Sequence, residues 1–405
     1  MDVYTRVHDP NDDQVVELGC KARLVHLRAG EEEDMHKLAL YPYLAEFACN
    51  LEDFRKRNGI RYDLIHSHYW LSGWVGKWLQ QWWGISHAIM FHTLGAVKNA
   101  VGVGEDEPEL RTETEKDLAT GCHRIIAATE KERDDLVRYC GASPDTIRVI
   151  PCGVNLELFR PMDQNESRGK SLESRVKGRE TPERSVSRLQ SEASPDPLDG
   201  AKVVLFVGRL DPLKGIENLL AAASNLSRTH HLQLIVVGGD DKNSEVERLK
   251  ALSRELHIND SVTFFGSVNQ EELPRLYSAA DVCVAPSYYE SFGLVALESL
   301  ACGTPVVATR VGGMESVIQH GKTGYIVADN APQTLADMIA RLFSTQNNGI
   351  RSASYIRGSV ARFSWSNIAE TILKQYQDML RASPPLSNSL PPGEGGNSSA
   401  AISHT

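Results

Sequence analysis

The chain has 405 residues, 41% hydrophobic and 24% charged, enough for two domains that each bury a full core. Its 43 basic and 53 acidic residues give a formal net charge of −10, which argues against nucleic acid or an anionic membrane as the main partner but leaves room for a local cationic site. Cys20, Cys49, Cys122, Cys140, Cys152, Cys283 and Cys302 stand singly, with no Cys-x-x-Cys pair, so small buried thiols in a reducing compartment are expected rather than disulfides or a zinc site.

Short apolar runs ending in polar or glycine residues read as strands in the first half: Lys21–Leu27, Tyr62–His68, Ala88–Thr93, Arg124–Thr129 and Thr146–Pro151. Helical patterns occupy His36–Lys56, Leu71–Trp83, Thr112–Thr120 and Glu130–Tyr139. Residues 163–200 are rich in Ser, Glu and Arg and poor in large apolar side chains, so they read as a flexible insertion after a first domain at 1–162. Residues 201–350 hold strands buried on both faces at Lys202–Val207, Leu232–Val237, Val262–Phe265, Val282–Ala285, Pro305–Ala308 and Gly324–Val327. Two helices follow within 351–382, and the Pro/Gly/Ser/Asn-rich stretch 383–405 reads as a disordered tail. No apolar run reaches the ~20 residues of a membrane helix, and no signal peptide precedes the first strand-like segment. The chain reads as cytoplasmic, with Asn397-Ser398-Ser399 a chance glycosylation match. The alternation of strands and helices predicts two doubly wound α/β units whose ligands sit at the carboxyl ends of the strands.

Two segments of the second half carry chemistry. Glu290-Ser-Phe-Gly-Leu-Val-Ala-Leu-Glu298 follows a strand and opens a helix, so backbone N–H groups near Phe292, Gly293 and Leu294 suit an anionic or hydroxyl-rich ligand. Glu298 is placed about two turns into that helix. Each carboxylate can hold a pair of vicinal hydroxyls, although helix glutamates are more commonly only solvated. In Phe206-Val-Gly-Arg-Leu-Asp-Pro-Leu-Lys-Gly215 a strand runs into Gly208 and Arg209, and a proline turn delivers Lys214 before a helix. A guanidinium fork and an ammonium point charge at a strand's carboxyl end match a diphosphate.

Together these segments resemble the donor-binding domain of retaining glycosyltransferases of family 4, which have the GT-B fold. Glu290 and Glu298 match the family's Glu-x7-Glu motif, and Gly208 to Gly215 match its Gly-Arg-Leu-x-Pro-x-Lys-Gly motif. Val311-Gly312-Gly313 and Gly321-Lys-Thr-Gly324 look like its later loops. The resemblance implies that Arg209 and Lys214 neutralise the diphosphate leaving group. It implies too that Glu298 holds the ribose, that Glu290 contacts the donor sugar, and that the base lies against the loop containing Gly266 and Val268.

In the first half, His66-Ser-His-Tyr-Trp-Leu-Ser-Gly73 and Phe91-His-Thr-Leu-Gly95 each end a strand. His66 and His68 share a face, yet no acidic or cysteine partner is evident and zinc is not favoured. These strings look closest to the inositol-phosphate N-acetylglucosaminyltransferase and sucrose-phosphate synthase subgroups. By that analogy His92 touches the donor sugar near the reaction centre, and Lys37, Tyr69, Thr93 and Arg111 bind the acceptor's phosphate. Two cations and two hydroxyls converging from separate loops make a reasonable phosphate clamp, against the plainer reading of Lys37 and Arg111 as surface charges. The family opens with a strand, a Gly-rich loop and a helix before the segment matching Met1–Arg6; here that unit is missing, and a start further upstream is the expectation.

The resulting expectation is a retaining glycosyl transfer from a nucleotide diphosphate sugar, a UDP-sugar, to a small phosphorylated polyol or sugar acceptor, with no metal and no cofactor. The Asp pairs at 12–13, 134–135 and 240–241 read as solvated charge. Competing readings are a lipid or polysaccharide glycosyltransferase of the same fold, a same-fold isomerase, and a non-catalytic nucleotide-sugar binder. A dehydrogenase is disfavoured because Gly102-Val-Gly104 lacks the third glycine and follows no strand.

Overall fold

The computed structural model describes residues 1–33, 35–168, 200–239, 244–344 and 349–382. Asp240-Asp241, the tail at 383–405 with its sequon, and all but the ends of the insertion at 163–200 lie outside the described residues. Strands of the first half are β1 (Asp2–Arg6), β2 (Val15–Gly19), β3 (Ala22–Leu27), β4 (Leu64–His68), β5 (Ser86–Met90), β6 (Arg124–Ala127) and β7 (Ile147–Val149). Those of the second half are β8 (Lys202–Val207), β9 (Leu232–Val237), β10 (Val262–Gly266), β11 (Val282–Ala285), β12 (Val306–Thr309) and β13 (Gly324–Val327).

The second half forms one parallel six-stranded sheet in the order β10-β9-β8-β11-β12-β13. Its strands are almost wholly buried because helices cover both faces, as their continuous apolar composition requires. The order reverses between β8 and β11, so the crevice beyond their carboxyl ends is the place for a ligand.

The first half departs from a single doubly wound sheet. It holds a parallel sheet β4-β5-β6-β7 and a separate sheet β1-β3-β2 in which β2 pairs antiparallel to β3. The β2 strand was not foreseen; all five of its residues are exposed, so it lacks the apolar run that marks a buried strand. Between β1 and β4 lies a cavity of about 1450 Å³, lined by both strands and by Leu373, Tyr376 and Leu380 of the last helix. The cavity separates the sheet that carries β1 from the sheet that carries β4.

Three local expectations are corrected. The helix read over His36–Lys56 is a 3-10 stretch at Lys37–Tyr43 followed by an α-helix at Leu44–Arg57, because Pro42 has no N–H to donate to a continuous α-helix. Gln164–Arg168, at the start of the expected flexible insertion, forms a short helix whose Arg168 pairs with Asp281 at 2.7 Å. Cys122, Cys140, Cys283 and Cys302 are buried, but Cys20 and Cys49 are exposed, so the seven thiols are not uniformly core residues.

The final helix, Trp365–Ala382, returns to the first half: Tyr376 hydrogen-bonds His66, and Trp365 and Ile368 pack on the backbone of Gly153. Side chains of both halves share one apolar cluster, including Met90, Ile126 and Ile150 with Phe292, Phe363 and Ile368. No helix among the described residues is long and apolar enough to cross a membrane.

Candidate active site

The loops beyond β8 and β11 meet at the switch point. Asp211 accepts a hydrogen bond from Leu213 N at 2.9 Å and sets the Pro212–Lys214 turn. Gly215 closes it with φ +67°, and a Cβ there would stand 2.2 Å from Pro286 O, so only glycine lets this turn lie on the backbone after β11. The contact is continued by Tyr288 N, which donates to Leu213 O at 2.8 Å. As a result Lys214 Nζ donates to Glu290 Oε2 at 2.6 Å. Arg209 behaves differently: its side chain is 76% exposed, with Asp211 at 3.8 Å.

The Glu290 loop is held from its other side by Val311–Gly313. A Cβ on Gly312 would stand 2.1 Å from Glu290 O, and Gly312 has φ +55°. The following helix spans Leu294–Ala301, with Gly293 as its N-cap and no side chain capping it. Its first turn therefore presents backbone N–H groups, as expected. Glu298 is one turn into this helix rather than about two, because Ser291–Gly293 is not helical. Phe292 is buried at 1% exposure with its ring against Phe363, so only its backbone is available to a ligand. The Glu298 carboxyl is pushed up to about 7 by burial, opposed by the hydrogen bond it accepts from Tyr277 OH at 2.8 Å. On the neighbouring strands, Gly266 O accepts from Gly238 N at 2.8 Å, and Ser267 Oγ donates to Gly239 O at 3.0 Å. Gly208, Gly266 and Val268 thus lie at the carboxyl ends of β8 and β10, with Val268 packed on the core.

In the first half, the carboxyl end of β4 and the loop beyond β5 bring their histidines together. The rings of His66 and His68 are 4.4 Å apart, and His68 Nδ1 lies 2.9 Å from His92 Nε2. His92 has φ +63° and Tyr69 φ +74°, unusual for non-glycine residues. Burial, then the neighbouring His68, pushes the His92 pKa down to about 4, which keeps its ring neutral near pH 7.

The four residues read as a phosphate clamp do converge. Arg111, on the helix Glu109–Gly121, donates through Nη2 to Thr93 O at 3.0 Å and Thr93 Oγ1 at 2.9 Å, and its guanidinium lies 4.9 Å from the Tyr69 ring centroid. Lys37 joins them through Glu107, whose carboxylate it contacts at 3.0 and 3.1 Å. The surface-charge reading of Arg111 is wrong: it is fully buried and ion-paired to Glu115 at 2.7 Å and Glu107 at 2.8 Å. Burial pushes the Glu107 carboxyl up, but Lys98, Arg111 and Lys37 outweigh it and hold the group down at about 2. Lys98, Glu107 and Glu115 were missed as members of this cluster. The signal was the spacing of four residues between Glu107, Arg111 and Glu115: Arg111 and Glu115 share one face of the helix, and Glu107 stands just before its start.

The donor-side and acceptor-side groups share no direct side-chain contact among those described. They are joined through Tyr289, which precedes Glu290 and packs on the core of the first half. A separate crevice of about 490 Å³ also lies between the halves, where Ala128–Lys131 face Gly312, Gly313, Glu315 and Ser316.

Comparison with known proteins agrees with this geometry. Residues 1–158 match the model of "Glycosyltransferase Family 4", and residues 188–357 match that of "Glycosyl transferases group 1". The chain is 40% identical over 395 residues to a D-inositol 3-phosphate glycosyltransferase of Acidothermus cellulolyticus, covering 94% of this chain and 82% of that protein. A protein of the same name from Corynebacterium jeikeium is 36% identical over 386 residues, covering 94% and 87%. The solved structure of sucrose-phosphate synthase from Thermosynechococcus elongatus superposes with a TM-score of 0.78 at 34% identity, covering 94% of this chain and 89% of that one. With both halves matched, the motifs meeting at the switch point and full-length relatives above 30% identity, the chain belongs to the family 4 glycosyltransferases of GT-B fold.

Proposed function

We propose that this glycosyltransferase moves a sugar, with retention of anomeric configuration, from a UDP-sugar to a small phosphorylated polyol or sugar. The observation that carries the acceptor class is the convergence of Lys37 and Arg111 on a single carboxylate, that of Glu107, beside Thr93 and Tyr69. A position that binds one anion through two cations suits a phosphate oxygen set. The names of the D-inositol 3-phosphate glycosyltransferases and of sucrose-phosphate synthase point to the same acceptor chemistry.

On the donor side, Arg209 and Lys214 stabilise the departing diphosphate, with the N–H groups of Phe292, Gly293 and Leu294 at the helix start adding to the positive field. Glu298 holds the ribose hydroxyls and Glu290 the donor sugar, while Gly208, Gly266 and Val268 shape the nucleotide pocket. Neutral His92 contacts the sugar near the reaction centre. As the bond to the diphosphate breaks, positive charge grows at the anomeric carbon, and the acceptor hydroxyl attacks from the face the leaving group vacates, passing its proton to the departing diphosphate oxygen. Positioning and leaving-group electrostatics supply the rate.

The test is a matrix of UDP-sugars against inositol phosphate, fructose 6-phosphate and their unphosphorylated forms, with products read by mass spectrometry and the new linkage by proton NMR. A retained anomer on a phosphorylated acceptor is expected. Transfer only to lipid or polysaccharide acceptors, or an inverted anomer, contradicts the proposal.

A further inference from the structure

Glu107 occupies the point on which the cations of the acceptor side converge. Its carboxylate contacts Lys37 Nζ at 3.0 Å, Lys98 Nζ at 2.8 Å and Arg111 Nη1 at 2.8 Å. Glu115 pairs with the other edge of Arg111. Three cations thus face two carboxylates, leaving one positive charge in excess. The fit is also imperfect. Arg111 Nη1 is buried and, although close to Glu107, makes no aligned hydrogen bond. A fully buried guanidinium with an unused donor aimed at an anion position favours a ligand with more acceptor oxygens than a carboxylate.

Glu107 is also carried on a segment that can leave. Gly104, Glu105 and Asp106 before it are exposed, and Pro108 follows. The backbone of Glu107 is tied only locally, to the Asn99 side chain at 2.7 and 2.9 Å. Lys37 and Tyr69, next to the cluster, line the cavity of about 1450 Å³, which gives a small ligand a route in.

We propose that Glu107 is a resident stand-in for the acceptor's phosphate: it holds Lys37, Lys98 and Arg111 in place until a phosphate displaces it, and Lys98 is a third cation on that phosphate. The proposal rests on the phosphorylated acceptor inferred above. It makes Glu107 a specificity residue. A phosphate dianion brings two charges and three free oxygens to three cations and can replace a single carboxylate. A neutral acceptor cannot, so the pocket stays closed to it.

The experiment measures inorganic phosphate binding to the full chain by titration calorimetry at constant ionic strength, for the native protein, Glu107→Gln and Lys98→Gln, alongside the KM for a phosphorylated acceptor. Glu107→Gln keeps the shape and removes the competing charge, so phosphate should bind on the order of tenfold tighter and that KM should fall. Lys98→Gln should weaken phosphate binding by on the order of tenfold. Unchanged or weaker binding in a Glu107→Gln protein of native melting temperature overturns the displacement. If that variant is unfolded, unchanged binding in Lys98→Gln overturns it instead. Tighter phosphate binding in Glu107→Gln without turnover of any phosphorylated acceptor would sustain the displacement and remove the acceptor reading. Turnover of a phosphorylated acceptor with both variants binding phosphate like the native protein would do the reverse.

Discussion

Lys214 and Glu290 are 76 residues apart in the chain and 2.6 Å apart in space, joined across the switch point between β8 and β11. The pair is partly buried, with side chains 21% and 19% exposed, at the mouth of the crevice where a diphosphate would lie. In the proposed reaction a leaving diphosphate would compete with Glu290 for this ammonium, so the same lysine would be anchored before reaction and free to follow the developing charge during it.

Lys214→Ala and Arg209→Ala should each lower kcat by roughly a hundredfold or more while changing donor affinity far less, because both act on charge that peaks in the transition state. Steady-state kinetics with the donor varied at saturating acceptor separate the two parameters. Native kcat in either variant contradicts the leaving-group role.

Glu298→Ala should weaken the binding of free UDP, since ribose hydroxyls lose their acceptor, whereas Glu290→Ala should leave UDP binding nearly intact and impair transfer. Calorimetry with UDP alone decides this. Equal UDP affinity in both variants makes the ribose assignment wrong.

Lys37 is the safer probe of the acceptor side. Its side chain is 37% exposed, so Lys37→Met should raise the KM of a phosphorylated acceptor at least ~10-fold, the value of one charge-assisted hydrogen bond, with little change in melting temperature. Arg111→Ala instead leaves the buried Glu115 without its cation, while Glu107 keeps Lys37 and Lys98, and should destabilise the fold by about 3–5 kcal/mol. A native KM in Lys37→Met, or a native melting temperature in Arg111→Ala, contradicts these assignments.

Stability should carry a pH signature from Glu132. Burial pushes its carboxyl up to about 7 from the ordinary 4.5, against the hydrogen bond it accepts from Ala128 N at 2.6 Å. Between those values the folded protein retains a proton that the unfolded chain has released, so this group's contribution is present below about pH 4.5 and lost as pH rises to about 7. Glu132→Gln should remove a loss of up to about 3 kcal/mol between pH 5 and pH 8. Urea unfolding of both proteins at the two pH values measures it; an identical loss in both means Glu132 is not the group responsible.

Transfer should survive EDTA, because Arg209 and Lys214 supply the positive charge that a divalent ion would otherwise bring. Activity lost on chelation and restored by Mg²⁺ or Mn²⁺ contradicts this.

Local sequence determined much of this molecule. The continuous apolar runs from Lys202 to Val327 marked the strands of the six-stranded sheet to within a residue or so, because strands buried on both faces need such composition wherever they pack. Turn chemistry at Asp211-Pro212 and Gly215, and the two glutamates at 290 and 298, likewise placed the donor loops, since those constraints act over a few residues. What only the tertiary structure decided is how the charges pair. Nothing near Lys37 in sequence announces that Glu107, 70 residues away, will occupy its ammonium, or that Arg111 will be fully buried between two carboxylates. The interruption of the first sheet and the antiparallel β2 also depended on contacts beyond the local segment. Periodicity reports which face of an element is apolar, but ion pairing depends on where distant segments come to rest, and that is set by the packing of the whole fold.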